Sequence, residues 1–174
     1  MSVTRDGSVF AGINRVSPAA LAETIKGSRP NKLEKKVYVK ADAGTPYATI
    51  AKVLKAVRSA GGESAVLLTG QRVTPKPGIP VPPYGLAVLL GPPPRDGSPA
   101  AVVQLLDLGQ NGAGIEINNF PVLWANLQTT LNGLLLNQRD KRVLVKAAGT
   151  LPYTDVVHVI DVCCLMGASV ALVM

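Results

Sequence analysis

Hydrophobic positions along this chain change their period in a fixed order. In VYVKA, Val37 to Ala41, they alternate: Val37, Val39 and Ala41 face one way, Tyr38 and Lys40 the other, the pattern of a half-buried strand. From Pro46 the period lengthens. Ile50, Val53/Leu54, Val57 and Ala60 form one helical stripe, Gly61 ends it, and the apolar strand SAVLLT follows. Upstream, Ser17 is a natural N-cap, Pro18 suits the first helical position, and Leu21 and Ile25 share a face. Before that helix, Asp6-Gly7 in SVTRDGSVF sits between β-prone residues and predicts a tight hairpin.

The same order then returns. VLVKAAGTLPY (143–153) repeats VYVKADAGTPY (37–47) at a spacing of 106 residues. Upstream, Val16/Val122, Leu21/Leu127, Thr24/Thr130 and Gly27/Gly133 keep that spacing; downstream, Val53/Val159, Gly61/Gly167 and Ala65/Ala171 do. A gapless register from about residue 16 to 68 predicts a duplicated domain. In the second copy Asn111-Gly112 takes the hairpin position with one residue of slip. Trp124, Leu127, Leu131 and Leu135 have helical spacing, and Val156, Val159/Ile160, Cys163 and Met166 form the second stripe. One apolar and one mixed strand face imply helices on a single side of a sheet. The expected fold class is α+β: two tandem two-layer β-β-α-β-α-β domains, each with helices on one face of a mixed sheet.

The expected domains are residues 1–69 and 101–174. Between them, 70–100 form a Pro/Gly-rich linker with one strand over 84–91. GQRVTPKPGIPVPP (70–83) is too rich in Pro and Gly to pack, whereas YGLAVLLG is apolar enough to seek an open sheet edge. That strand is expected to join the copies into a pseudo-symmetric pair. The same edge logic favours strand addition as the way an extended partner peptide binds.

Composition narrows the function. Hydrophobic residues are 47% but aromatics only 4%, so the core is aliphatic. The chain has no apolar run of the roughly 18 residues that span a bilayer, and MSVTRDGSVF lacks the apolar stretch of a secretory signal. The net charge of +7 is uneven: residues 1–69 hold eleven Lys/Arg against five Asp/Glu, residues 101–174 four against five. A basic first half raises an alternative reading, a module binding nucleic acid or another anionic polymer through residues 1–69. With only Phe10, Tyr38 and Tyr47 as aromatics there, and no stacking motif, nucleic acid is disfavoured. Adjacent Cys163 and Cys164 and the single His158 offer no metal-ligand spacing, and no nucleophile–base arrangement stands out. The chain therefore reads as a non-enzyme, with no catalytic residue, metal or cofactor expected.

The succession of strand, Lys-Ala-Asp, polar turn, Pro-Tyr, amphipathic helix, Gly and apolar strand resembles the periplasmic domain of the ExbD/TolR family of biopolymer-transport proteins. VTRDGSVF and VSPAALAETIK resemble that family's opening hairpin and first helix. The resemblance implies a binding and force-coupling module of a proton-motive-force-driven transport or envelope system. It implies partners of two kinds: an ExbB/TolQ-like channel, reached through a membrane anchor that this sequence lacks, and a TonB/TolA-like protein or peptidoglycan. A homo-oligomer stays open. The expected location is the periplasm, tethered to the inner membrane, or the cytoplasm if Met1 is the native start. The sequence departs from the family pattern in carrying two copies of the domain in one chain, and in having Ala148 where the first copy has Asp42.

Candidate partner contacts follow from exposure rather than from chemistry. Asp42 lies between a strand end and a helix start, where capping of the turn is the simpler role. Tyr47 and Tyr153 are expected to lay their rings over the first helical turn with wet hydroxyls. Val157, Val162 and Leu165 replace smaller or polar residues of the first copy on the outward side of the second helix, which predicts burial against the other copy or a partner.

Overall fold

The computed structural model describes residues 1–27, 36–68, 85–91 and 101–173. The first half runs β1 (Ser2–Val3), β2 (Val9–Ala11), β3 (Asn14–Val16), α1 (Leu21–Gly27), β4 (Lys36–Ala41), α2 (Tyr47–Ser59) and β5 (Ser64–Leu68). A single strand, β6 (Gly85–Leu90), follows. The second half runs β7 (Ala101–Asp107), β8 (Ala113–Ile117), β9 (Phe120–Val122), α3 (Leu127–Leu135), β10 (Arg142–Ala147), α4 (Tyr153–Leu165) and β11 (Ser169–Leu172). The expected segment 70–83, Tyr84 of the expected strand and Met174 lie outside the described residues.

Each half adds one short strand, β3 or β9, to the expected pattern. Both close two-residue hairpins. Asn118 and Asn119 sit at φ 52° and 70°, the paired left-handed conformation of a type I′ turn, and Gly12 opens the other turn at φ 62°. Three residues give too little alternation to be read from sequence.

All eleven strands form one sheet in the order β3-β2-β1-β4-β5-β6-β11-β10-β7-β8-β9. The order reads the same outward from β6 in both directions, so the halves are related by a pseudo-twofold with β6 near its centre. β6 runs antiparallel to β5, with Ser64 opposite Leu89, and parallel to β11, with Val88 opposite Val170. Its residues alternate between buried and exposed. Leu86, Val88 and Leu90 enter the core, each burial worth roughly 1.5–3 kcal/mol gross. The helices pack on this same face, over Val39, Leu67, Val145 and Leu172. Their stripes match the expected ones: Ile50, Val53, Leu54 and Val57 on α2, and Val156, Val159, Ile160 and Cys163 on α4, are fully buried. Gly61 and Gly167 end these helices at φ 82° and 71°, with Gly62 N–H on Val57 O and Ala168 N–H on Cys163 O.

The structural register corrects the gapless repeat at two points. Val3 pairs with Val9, but Leu105 pairs with Ile115, so the second copy's hairpin is four residues longer rather than slipped by one. In the last strand Ala65 pairs with Val37 while Val170, not Ala171, pairs with Val143. The identical pair Ala65/Ala171 therefore falls on opposite faces of the sheet, because a one-residue slip inverts every side chain.

Candidate partner-binding site

The loops that lead into α2 and α4 meet across the pseudo-twofold. Pro46 and Pro152 face each other in an isolated antiparallel bridge. Tyr47 N–H donates to Leu151 O at 2.8 Å, and Tyr153 N–H donates to Thr45 O at 2.8 Å. One residue further on, Ala48 N–H donates to Gly149 O at 2.9 Å and Thr154 N–H to Ala43 O at 3.0 Å. Neither helix has a side-chain cap at its proline. Each helix start is thus capped by backbone carbonyls of the other half, which satisfies donors that would otherwise be orphaned. The four bonds contribute roughly 2–6 kcal/mol net if each is worth about 0.5–1.5 kcal/mol. Thr45, the buried hydroxyl of this junction, donates to Thr4 O at 3.3 Å. Sequence reasoning missed the junction because backbone-to-backbone caps demand no particular side chain.

Gly149 lets the loops close. A Cβ there would meet the Ala48 Cβ at 3.0 Å. Gly149→Val is expected to lower stability by about 1–3 kcal/mol through overpacking at the junction. Gly133, where an added Cβ would meet nothing within 4 Å, is the control. Thermal melts check this: Gly133→Ala should leave the melting temperature level or higher, and equal melting of the two variants would exclude the tight contact.

Tyr47 and Tyr153 lie beneath this junction, each only 3% exposed. Their hydroxyls, expected to be wet, are buried with no hydrogen-bond partner among the described residues. The reason is the junction itself, since the loop that covers each first turn comes from the other half. Burial pushes the Tyr47 phenol up to about 12. Burial, and then the nearby Tyr47, raise Tyr153 further.

Asp42 caps its own turn: Oδ1 accepts from Gly44 N–H at 2.9 Å and pairs with exposed Arg5 at 3.3 Å. In the second half the comparable tie is Asp107, which accepts from the Thr150 hydroxyl and from Gly109 N–H at 2.8 Å. The Thr150 bond, then the Gly109 bond, hold its carboxyl below the usual range.

On α4, Val157 and Val162 are half-buried against the protein's own core, while Leu165 stays 59% exposed. Cys163 is buried and Cys164 half-buried. His158 is exposed, with its ring centroid 5.6 Å from that of Trp124, whose Nε1 donates to Ala113 O at 2.7 Å.

The two repeats thus interlock into one pseudo-symmetric α+β sheet with the helices on one face. The family model described as biopolymer transport protein ExbD/TolR matches residues 1–72 and 84–174. The chain belongs to the ExbD/TolR family and carries its domain as a tandem duplication. That family serves biopolymer transport by coupling to the proton motive force, from an inner-membrane anchor that places the domain in the periplasm. Comparison with curated proteins finds no match, and neither does comparison with solved structures.

Proposed function

We propose that this chain is a non-enzymatic binding and force-coupling module, working in the periplasm beside an ExbB/TolQ-like channel and contacting a TonB/TolA-like protein or peptidoglycan. The observation that carries this reading is the family match over both halves of a single fused sheet. A coupling element must resist relative motion of its parts. Here the β5-β6-β11 ladders and the reciprocal caps load together, so a pull on one repeat is shared by the other. The outer edges of the sheet, β3 and β9, are three residues each and β9 contains Pro121, so an added partner strand has little free edge to use.

Co-purification tests the reading. Expressed from its native locus, the chain should be recovered from inner membranes with an ExbB/TolQ-type channel, and it should be accessible to protease only after the outer membrane is opened. Recovery from cytosol, free of any channel, would refute it. Pelleting with purified sacculi then separates peptidoglycan from a protein partner.

A further inference from the structure

The helices of the described residues all lie on one face of the sheet; the opposite face is uncovered by any of them. The ladders line up Tyr38, Val66 and Ala87 on that face, and beside them Ser64, Leu89, Ala171 and Leu144. Tyr38 is 54% exposed and Leu89 41%. Where β6 and β11 begin, a trough of about 510 Å³ opens between them: Ser64, Gly85, Ala87, Leu89 and Ser169 line it on the open face, and it reaches inward to Leu86 and to Cys164 at the end of α4. A trough floored by small side chains lets another backbone approach closely, and its volume lies in the range of true binding clefts. An aliphatic sheet face that no described helix covers, with such a cleft at the start of its central strands, marks an interaction surface.

The charges around the trough say what it fits. Lys40 and Lys146 hold equivalent positions in the two repeats, and both are exposed on this face, on either side of β6. Arg15 lies further out in the same row as Lys40, through Phe10 and Ser2. Among the described residues none of these three cations is paired with a carboxylate, whereas Arg142 is paired with Asp140 at 3.2 Å. Glu116, beside Gln104, is the one carboxylate on the described strands of this face. Like charge opposes stacking two copies of the chain through this surface. A flat lipid surface would meet the projecting side chains and leave the Gly/Ala/Ser floor unfilled.

We propose that the open face docks an amphipathic helix of a partner protein, with the helix's apolar stripe in the trough and its acidic flanks on Lys40 and Lys146. This rests on the reading of the chain as a binding module and names the surface that binds. The test uses the whole chain and a synthetic helical peptide of about 18 residues, long enough to cross the central strands, with a Leu stripe and Glu flanks. The same peptide with Lys flanks and vesicles of mixed phosphatidylglycerol and phosphatidylcholine are the other arms.

The acidic peptide is expected to shift the backbone NMR signals of Tyr38, Ala87 and Leu89. Joint Lys40→Glu and Lys146→Glu substitution, at exposed positions that leave the fold intact, should weaken binding by about tenfold or more. Ala87→Leu, which fills the trough, should weaken it similarly with the charges in place. Equal binding of the Lys-flanked peptide would overturn the proposal, as would shifts confined to α2 and α4. Vesicle binding lost in the lysine variant, with no response to the acidic peptide, would reassign the face to an anionic membrane and overturn it too. None of these failures touches the coupling reading, which recovery with the channel decides separately.

Discussion

Between pH 9 and 12 the protein is expected to lose most of its stability, and three buried groups carry the loss. Burial, then the neighbouring Cys164, push the Cys163 thiol up to about 12 from an ordinary value near 9. Burial lifts the Tyr47 phenol from 10 to about 12, and Tyr153 is raised by burial and by Tyr47. In each case the folded state holds the proton more tightly than the unfolded chain does. The stabilising contribution is therefore complete below the unfolded values, near 9 for the thiol and 10 for the phenols, and is lost as pH rises through the folded ones. Each group costs about 1.4 kcal/mol per pH unit in that window, so the three together remove on the order of 8 kcal/mol between pH 10 and 12. That is comparable with the roughly 5–15 kcal/mol of a whole domain.

Circular dichroism and tyrosinate absorbance should show the ionisation of the two buried phenols, Tyr47 and Tyr153, arriving together with unfolding. Tyr47→Phe and Tyr153→Phe should each move it to higher pH. They should cost nothing at neutral pH, because each hydroxyl removed has no partner among the described residues. Cys163→Val supplies the residue that the first repeat has at the equivalent position, Val57, and both sites are fully buried. A triple variant that still unfolds at the parent's pH would show that these protons are not what the fold is holding.

The tyrosines also mark where sequence reasoning stops. Period and punctuation made the helices legible: the stripes ending at Gly61 and Gly167, and the Val-x-Val-Lys-Ala strands, stand where alternation places them. Those signals are local, and each element carries its own. Burial of Tyr47 and Tyr153 is not local, since the covering loop belongs to the other repeat and reaches them through backbone carbonyls of Thr45 and Leu151. β3 and β9 are too short to alternate. The slip in β11 is masked by a chance identity, Ala65 with Ala171, which sit on opposite faces. The apolar gain at Val157 and Val162 is legible, but half of its explanation is intramolecular, and only Leu165 remains well exposed on that helix.

Leu89→Pro is expected to destabilise the protein by roughly 3 kcal/mol or more, by analogy with other interior prolines. Leu90 N–H donates to Glu63 O at 2.9 Å on the β5 side. Alternation along a strand then turns the Leu89 N–H toward β11, the side on which Gly91 N–H reaches Leu172 O at 3.4 Å. The parallel ladder there is short, with Val88, Leu89 and Leu90 opposite Val170, Ala171 and Leu172. Proline removes its middle donor and forces the ring into a strand paired on both sides, where proline is not tolerated. The Leu89 side chain points to the open face and is 41% exposed, so Leu89→Ala tests the side chain alone and should cost less than about 1 kcal/mol. The two halves should loosen at the β6–β11 seam without separating, because the Pro46–Pro152 junction still ties them. Hydrogen exchange resolves the two regions. Amides of residues 86–90 should be among the protected ones in the native protein and should exchange much faster in Leu89→Pro, while those of Tyr47 and Tyr153 stay slow. If the amides of 86–90 are unprotected from the start, or if proline and alanine cost the same, β6 is not the strand that joins the repeats.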